Sequence, residues 1–265
     1  MSLQEQTLFK FIDKEKNAIQ ILQDLKPKEG YYLAFSGGKD SIVLYDLVLR
    51  SAVSFDAHHS LTTIDPPEVI HFMKEYYPLV KIKRPKIPFL KLLETRGFPI
   101  RQGRWCCAEY KEKGGSGRLV LTGIRKAESY KRSGRKQVEF CYKDSTKRYL
   151  NPIIDWTDAD VWEYIHKYNI PYCKLYAEGL KRIGCLFCPM ERKQDRLNEV
   201  KKYPIYTKNF IKAFEKLYNN RKNSEKESSR KAVSKWENGK EMFDWWIDEV
   251  SNIKDLPDQT IMFDN

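Results

Sequence analysis

The stretch Ala34-Phe35-Ser36-Gly37-Gly38-Lys39-Asp40-Ser41 constrains this chain most, because it joins two apolar runs of different character through a pair of glycines. Tyr31 to Phe35 reads as a short buried strand, and Ile42 to Leu49 as a largely apolar helix. Two glycines let the backbone come close to a ligand and take positive φ. The first N–H groups of the helix have no intrahelical partner and sit at the positive end of its dipole. Ser36 and Ser41 add hydroxyl donors, and Lys39 adds a mobile positive charge. A phosphate-binding turn is expected.

The turn lacks the early glycine of a Walker loop and has no Gly-Lys-Ser or Gly-Lys-Thr. It resembles instead the PP-loop, Ser-Gly-Gly-x-Asp-Ser, of the adenine nucleotide alpha hydrolase superfamily, whose members cleave ATP between the α and β phosphates or handle adenylyl sulfate. The resemblance implies that Ser36, Gly37, Gly38, Lys39, Asp40 and Ser41 bind an adenine nucleotide, ATP or a sulfonucleotide. It also implies Lys39 and Asp40 as catalytic groups, with magnesium carried on ATP.

Further along, residues 55–63 and 79–83 read as strands separated by a helix that opens at Pro66-Pro67-Glu68. A helix over Phe89 to Arg96 and a strand over Arg118 to Ile124 follow. This alternation predicts an α/β fold with a doubly wound, mostly parallel sheet, in which Thr62, Thr63 and Asp65 border the adenosine. The loop after the fourth strand carries Gly123, Arg125, Lys126 and Arg132 to the C-terminal edge of the sheet, where guanidinium groups meet an anion. Residues 137–142 and 147–150 predict a β-hairpin, and Thr157 an N-cap with Asp160 as its acidic partner. A packing helix is expected over residues 5–25, with Leu8, Ile12, Ile19 and Leu22 on one face. Residues 191–218 read as one or two basic helices, 219–235 as an exposed polar stretch, and Met242 to Ile247 as a final helix docked on a core.

The formal net charge is +12, which favours polyanionic partners, nucleotide or nucleic acid. No apolar run reaches membrane-spanning length, and the first residues lack the pattern of a signal peptide, so a cytoplasmic chain with no membrane partner is expected. The six cysteines are too unevenly spaced for a small disulfide scaffold. Cys106-Cys107 and Cys185-x-x-Cys188 supply four thiolates, a set that suits a tetrahedral zinc or a cubane cluster. The adjacent pair shifts the weight to the cluster.

With those cysteines the resemblance narrows to the PAPS/APS reductase family (phosphoadenosine or adenosine phosphosulfate reductases), over roughly residues 28 to 190. It is carried by Ser36 to Ser41, Trp105 to Lys111, Gly123-x-Arg125-x-x-Glu128-Ser129-x-x-Arg132, Pro152 to Trp162, and Leu175-Tyr176 to Cys188. It implies that Cys106, Cys107, Cys185 and Cys188 hold a 4Fe-4S cluster, with zinc as the alternative. It also implies that Arg125 and Arg132 contact sulfate or phosphate, Arg125 as a catalytic group. The expected division is a nucleotide-binding domain over residues 1–190 and a basic helical extension over 191–265. Two departures favour an ATP-using relative: no cysteine follows Cys188, where reductases of the family place their nucleophile, and the loop is unaltered. Cys141 and Cys173 are the spare thiols. The leading expectation is an ATP pyrophosphatase-type enzyme that activates an acceptor, tRNA or DNA, for sulfur from a donor or thiol reductant. The alternatives are a sulfonucleotide reductase releasing sulfite and a nucleic-acid-binding regulator with structural zinc.

Overall fold

The computed structural model describes residues 3–6 and 11–249. It opens with two short antiparallel strands, β1 (Gln4–Gln6) and β2 (Phe11–Asp13). The expected helix over 5–25 is thereby corrected to α1 (Lys14–Asp24). The Asp13 carboxylate accepts from the Lys16 N–H and starts the helix, after Ile12 has been taken into β2. Leu8 lies outside the described residues.

Strands and helices then alternate as β3 (Tyr31–Ala34), α2 (Lys39–Arg50), β4 (Phe55–Ser60), α3 (Pro67–Tyr76), β5 (Lys81–Lys83), α4 (Phe89–Arg96) and β6 (Leu119–Leu121). A single helical turn, α5 (Tyr130–Ser133), precedes the hairpin β7 (Val138–Cys141) and β8 (Asp144–Leu150). Five helices follow: α6 (Asp158–Lys167), α7 (Lys193–Lys202), α8 (Pro204–Lys222), α9 (Glu227–Lys231) and α10 (Gly239–Glu249). Thr157 caps α6 in the expected box, accepting from the Asp160 N–H while the Asp160 carboxylate accepts from the Thr157 N–H.

Six strands lie in one sheet in the order β5-β4-β3-β6-β8-β7, parallel throughout except for β7 against β8. From β3 the chain builds outward through β4 and β5, then returns to place β6 on the other flank of β3. The order therefore reverses between β3 and β6, which is where an open α/β sheet leaves a crevice at its strand ends.

The chain divides into two compact units. The first comprises Met1–Ser60, Pro67–Lys83 and Lys113–Ile183; the second comprises Leu61–Pro66, Arg84–Glu112 and Gly184–Asn265. In the first, Tyr31, Leu33 and Phe35 are buried in one core with Ile42, Leu44 and Leu47 of α2. The core of the second is aromatic: the Phe98 and Phe214 rings stack at 5.5 Å, and the Trp246 indole donates to the Pro99 carbonyl at 2.9 Å. Met242, Phe243, Trp246 and Ile247 are buried there, as the pattern of the last helix leads one to expect. The polar stretch after 218 is more ordered than its composition implies, because α8 continues to Lys222 and Val233 is buried in the same core. Among the described residues, no helix is long and apolar enough to cross a membrane.

Phe214 is fully buried among Phe98, Phe243 and Trp246. Phe214→Ala is expected to lower stability by about 3–5 kcal/mol, read from the urea midpoint. Leu49→Ala, at a side chain 53% exposed, is expected to change it by less than about 0.5 kcal/mol.

Candidate functional site

The glycine turn occupies the crevice end of β3. Gly37 takes φ +75°, and a Cβ on it would stand 2.9 Å from Val69 Cγ1, so only glycine is accommodated without displacement. Gly38 begins α2, and no side chain caps the helix. Within the turn, the Ser41 hydroxyl donates to the Gly38 carbonyl at 2.8 Å, and Ser36 Oγ lies 3.2 Å from Ser41 Oγ. The Lys39 N–H donates to the Tyr176 hydroxyl at 2.8 Å, so a phenol oxygen stands at one of the amides that an anion would use. The loop after β6 closes against the turn. A Cβ on Gly123 would lie 2.9 Å from the Asp40 carbonyl oxygen.

Arg125 is 1% exposed, and its fork is spent within the protein. Nε donates to Asp40 Oδ1 at 2.6 Å, a terminal nitrogen donates to the Trp156 carbonyl at 3.2 Å, and the other pairs with Asp158. The side chain expected to touch sulfate or phosphate directly thus ties the head of α2 to the head of α6. Lys39 is also buried, with Nζ 3.6 Å from Asp40 and 3.5 Å from Asp158. Burial alone would raise the Asp158 carboxyl, but the Arg125 hydrogen bond and the Lys39 charge outweigh it and hold it below the ordinary range. Arg132 pairs with Glu128, yet it is pushed down to about 10, first by burial and then by repulsion from Arg182, Arg135 and Arg125. Sequence reasoning missed Tyr176 and Asp158, although both lie in segments that carried the resemblance.

The four cysteines fall together in the second unit. Cys106, Cys107, Cys185 and Cys188 line one cavity of about 40 Å³, with Lys111 and Thr62 and an apolar wall that includes Phe89, Leu186 and Trp246. Cys107 opens a turn of π-helix (Cys107–Lys111), a wider winding often found at functional sites. Cys185 and Cys188 flank Phe187, a non-glycine residue at φ +57°. That strained backbone is held by its N–H, which donates to Glu199 Oε2 at 2.6 Å, and by a perpendicular ring contact with Phe210 at 4.8 Å. Burial pushes the Cys185 thiol up, opposed by Lys111, and pushes Cys188 up to about 12. Cys106 is pushed up by donating to Cys107, and by the same hydrogen bond, with Lys111 and Arg104, Cys107 is pushed down. Among the described residues no three His, Cys, Asp or Glu side chains converge tightly enough for a single metal ion.

Thr63 belongs to the second unit, not to the one that holds the glycine turn, and its hydroxyl accepts from the Phe89 N–H at 3.0 Å, starting α4. Thr62 donates to Asp65 through both its N–H, at 2.7 Å, and its hydroxyl, at 2.8 Å. Cys173 is buried in the first unit's core, while Cys141 lies on β7 with the Tyr149 hydroxyl 3.6 Å away.

Residues 30–191 match the phosphoadenosine phosphosulfate reductase domain, a span that includes the glycine turn, Arg125, Arg132 and all four clustered cysteines. An uncharacterized protein of Methanocaldococcus jannaschii is 30% identical over 205 residues, covering 71% of this chain and 42% of that one. A second from the same organism is covered over 50%, so the chain spans about half the length of these relatives or less. The adenosine 5'-phosphosulfate reductase of Oceanobacillus iheyensis is 30% identical over 195 residues, 67% of this chain and 80% of that one. The phosphoadenylyl-sulfate reductase of Candida auris, crystallised with phosphate, is 21% identical, with a TM-score of 0.49 over 65% of this chain and 87% of that one.

Two outcomes are expected from this geometry. Pyrophosphate should raise the melting temperature of the chain, about 2.7 kcal/mol of stabilisation being available at a hundredfold excess over Kd. Gly123→Val should abolish that rise, because its side chain drives into the Asp40 carbonyl, whereas Gly134→Ala, with open space around it, should leave it intact. The second outcome concerns Glu199, pushed up from 4.5 to about 9 by burial and by Glu191. Its folded-state value exceeds the unfolded one, so its stabilising contribution is complete below pH 4.5 and is lost as pH rises through about 9. Glu199→Gln keeps an acceptor for the Phe187 N–H but cannot ionise, and should flatten the fall in urea midpoint across that window.

Proposed function

The chain belongs to the phosphoadenosine phosphosulfate reductase domain family, and on that footing we propose that it is a cytoplasmic enzyme of sulfur chemistry that binds ATP at the glycine turn and cleaves it at the α-phosphate. The observation that carries this reading is the head of α2, whose cap residue Gly38 brings no side-chain acceptor, set at the crevice where the strand order reverses and backed by buried Lys39. The amides there and the Lys39 ammonium take the charge that grows on the leaving pyrophosphate, while Arg132 adds positive potential. Arg125 acts as a positioning residue, fixing Asp40 and Asp158 on either side of the turn. An acceptor oxygen attacks the α-phosphorus: the new O–P bond forms as the bond between the α-phosphorus and its bridging oxygen breaks, and pyrophosphate departs with the electron pair. Adenylation makes that acceptor oxygen a good leaving group for an incoming sulfur nucleophile from a donor or thiol reductant. The acceptor that suits a chain of charge +12 is a nucleic acid, tRNA or DNA.

Asp40 and Asp158 are already engaged by Arg125 and Lys39, so magnesium arrives with the triphosphate rather than in a cage of protein ligands. A 4Fe-4S cluster is our assignment for the thiols over a single zinc ion, supported by four of them lining one small, largely apolar cavity and by the adjacent Cys106-Cys107 pair, which is unusual for zinc. Cys106, Cys107, Cys185 and Cys188 would hold the cluster, which supplies a centre of fixed charge and electron-transfer capacity when bound. Lys111, which lines the same cavity, offsets the thiolate charge, and Glu199 holds the turn between Cys185 and Cys188.

A sulfonucleotide reductase releasing sulfite is the second reading, favoured by the 30% identity to an adenosine 5'-phosphosulfate reductase. Supplying ATP, adenylyl sulfate and its 3'-phosphorylated form in parallel separates the two. Pyrophosphate from ATP is expected, and sulfite alone would sink the leading reading. Lys39→Ala should lower kcat by about 10²–10³ through the loss of transition-state charge stabilisation. Anaerobic purification should yield iron and sulfide; one tightly bound zinc per chain and no iron would overturn the cluster assignment.

A further inference from the structure

Half of the chain's surplus charge is concentrated in one tenth of its length. Between residues 125 and 148 nine lysines and arginines stand against three acidic residues, a surplus of six within a formal net charge of +12. The same segment exposes its large apolar side chains: Tyr130 is 94% exposed, Phe140 75% and Tyr142 90%. Phe140 and Val138 share one face of β7, and Tyr142 is exposed in the turn that follows the strand. Lys131 and Lys136 are exposed beside them, and Lys143 Nζ lies 5.4 Å from the centre of the Tyr142 ring. Bare aromatic rings cost hydration, and a fold that interleaves them with cations instead of covering them presents a surface for a partner that is both flat-ringed and anionic.

We infer that Tyr130, Phe140 and Tyr142, with the basic residues between them, form a docking platform for single-stranded nucleic acid. Three observations choose this occupant over a second copy of the chain. Two copies would bring the exposed Lys131, Lys136 and Lys143 of one against the same lysines of the other. Strand β7 is a sheet edge, but the register shift at Phe140/Cys141 kinks it, which blunts edge-to-edge pairing. Projecting rings also need unstacked bases, which a duplex does not offer. The platform begins on α5, the helical turn that carries Arg132, a residue that interacts electrostatically with Asp40 of the glycine turn. Its role in turnover rests on the nucleic-acid acceptor proposed above; the binding itself does not.

The test is fluorescence anisotropy of the full chain with labelled single strands of DNA and RNA about 20 nucleotides long, and with the matched DNA duplex, at several salt concentrations between about 50 and 200 mM. A single strand of either sugar should bind at least tenfold more tightly than the duplex, and more weakly as salt rises. Phe140→Ala and Tyr142→Ala should each weaken that binding about tenfold with an unchanged melting temperature, because both side chains are exposed. Ring variants that bind like the parent, or a duplex that binds equally well, would overturn the platform. So would a chain that sediments as a dimer until Phe140 is replaced while strand binding stays the same. Intact strand binding without pyrophosphate release from ATP would remove the proposed activity and leave the platform standing; pyrophosphate release without strand binding would do the reverse.

Discussion

A buried guanidinium must be answered by charge, and Arg125 is answered twice. It bridges Asp40 at the start of α2 and Asp158 at the start of α6, and its third contact is the Trp156 carbonyl just before that helix. Removing either carboxylate would leave a cation stranded away from water, the costly way to break such a pair. The arrangement fixes two helix heads beside the loop after β6 before any ligand arrives. The amides of the glycine turn are therefore preorganised, and Lys39 is held by the same two carboxylates.

The second unit solves a different problem. Four thiols, a lysine and an apolar wall share one small cavity, an environment in which bare thiolates are unfavourable. The turn between Cys185 and Cys188 is kept in its left-handed bend by the hydrogen bond from Phe187 to Glu199 and by aromatic packing. The strain is thus carried by residues that are not themselves donors to a bound group, and the donors stay poised. In both units, the candidate site groups are positioned by neighbours whose side chains are already engaged.

Much of the fold was legible locally. The apolar run Tyr31 to Phe35, the glycine pair, Pro67 at the opening of α3 and the Thr157–Asp160 box each specify backbone conformation through contacts within a few residues, so each appears where expected. The failures share a cause as well. The stretch over residues 5–25 has helical spacing, but its first part pairs as β1 with β2, and Asp13 caps the helix late. The polarity of residues 219–235 suggested exposure, yet Val233 is buried against apolar residues distant in sequence. Pairing and burial of that kind leave no periodic trace in the segment itself.

Residue chemistry and short spacings were enough to specify a glycine turn between strand and helix, a mostly parallel sheet and four cysteines that share one cavity, since glycine conformations, helix dipoles and side-chain chemistry act over a few ångströms of neighbouring chain. They did not reveal that Arg125 is consumed by Asp40 and Asp158, that Tyr176 reaches the Lys39 amide from 137 positions away, or that the Thr63 hydroxyl starts α4. Those outcomes depend on which distant side chains compete for the same donor once the chain is packed, and that competition is settled in space.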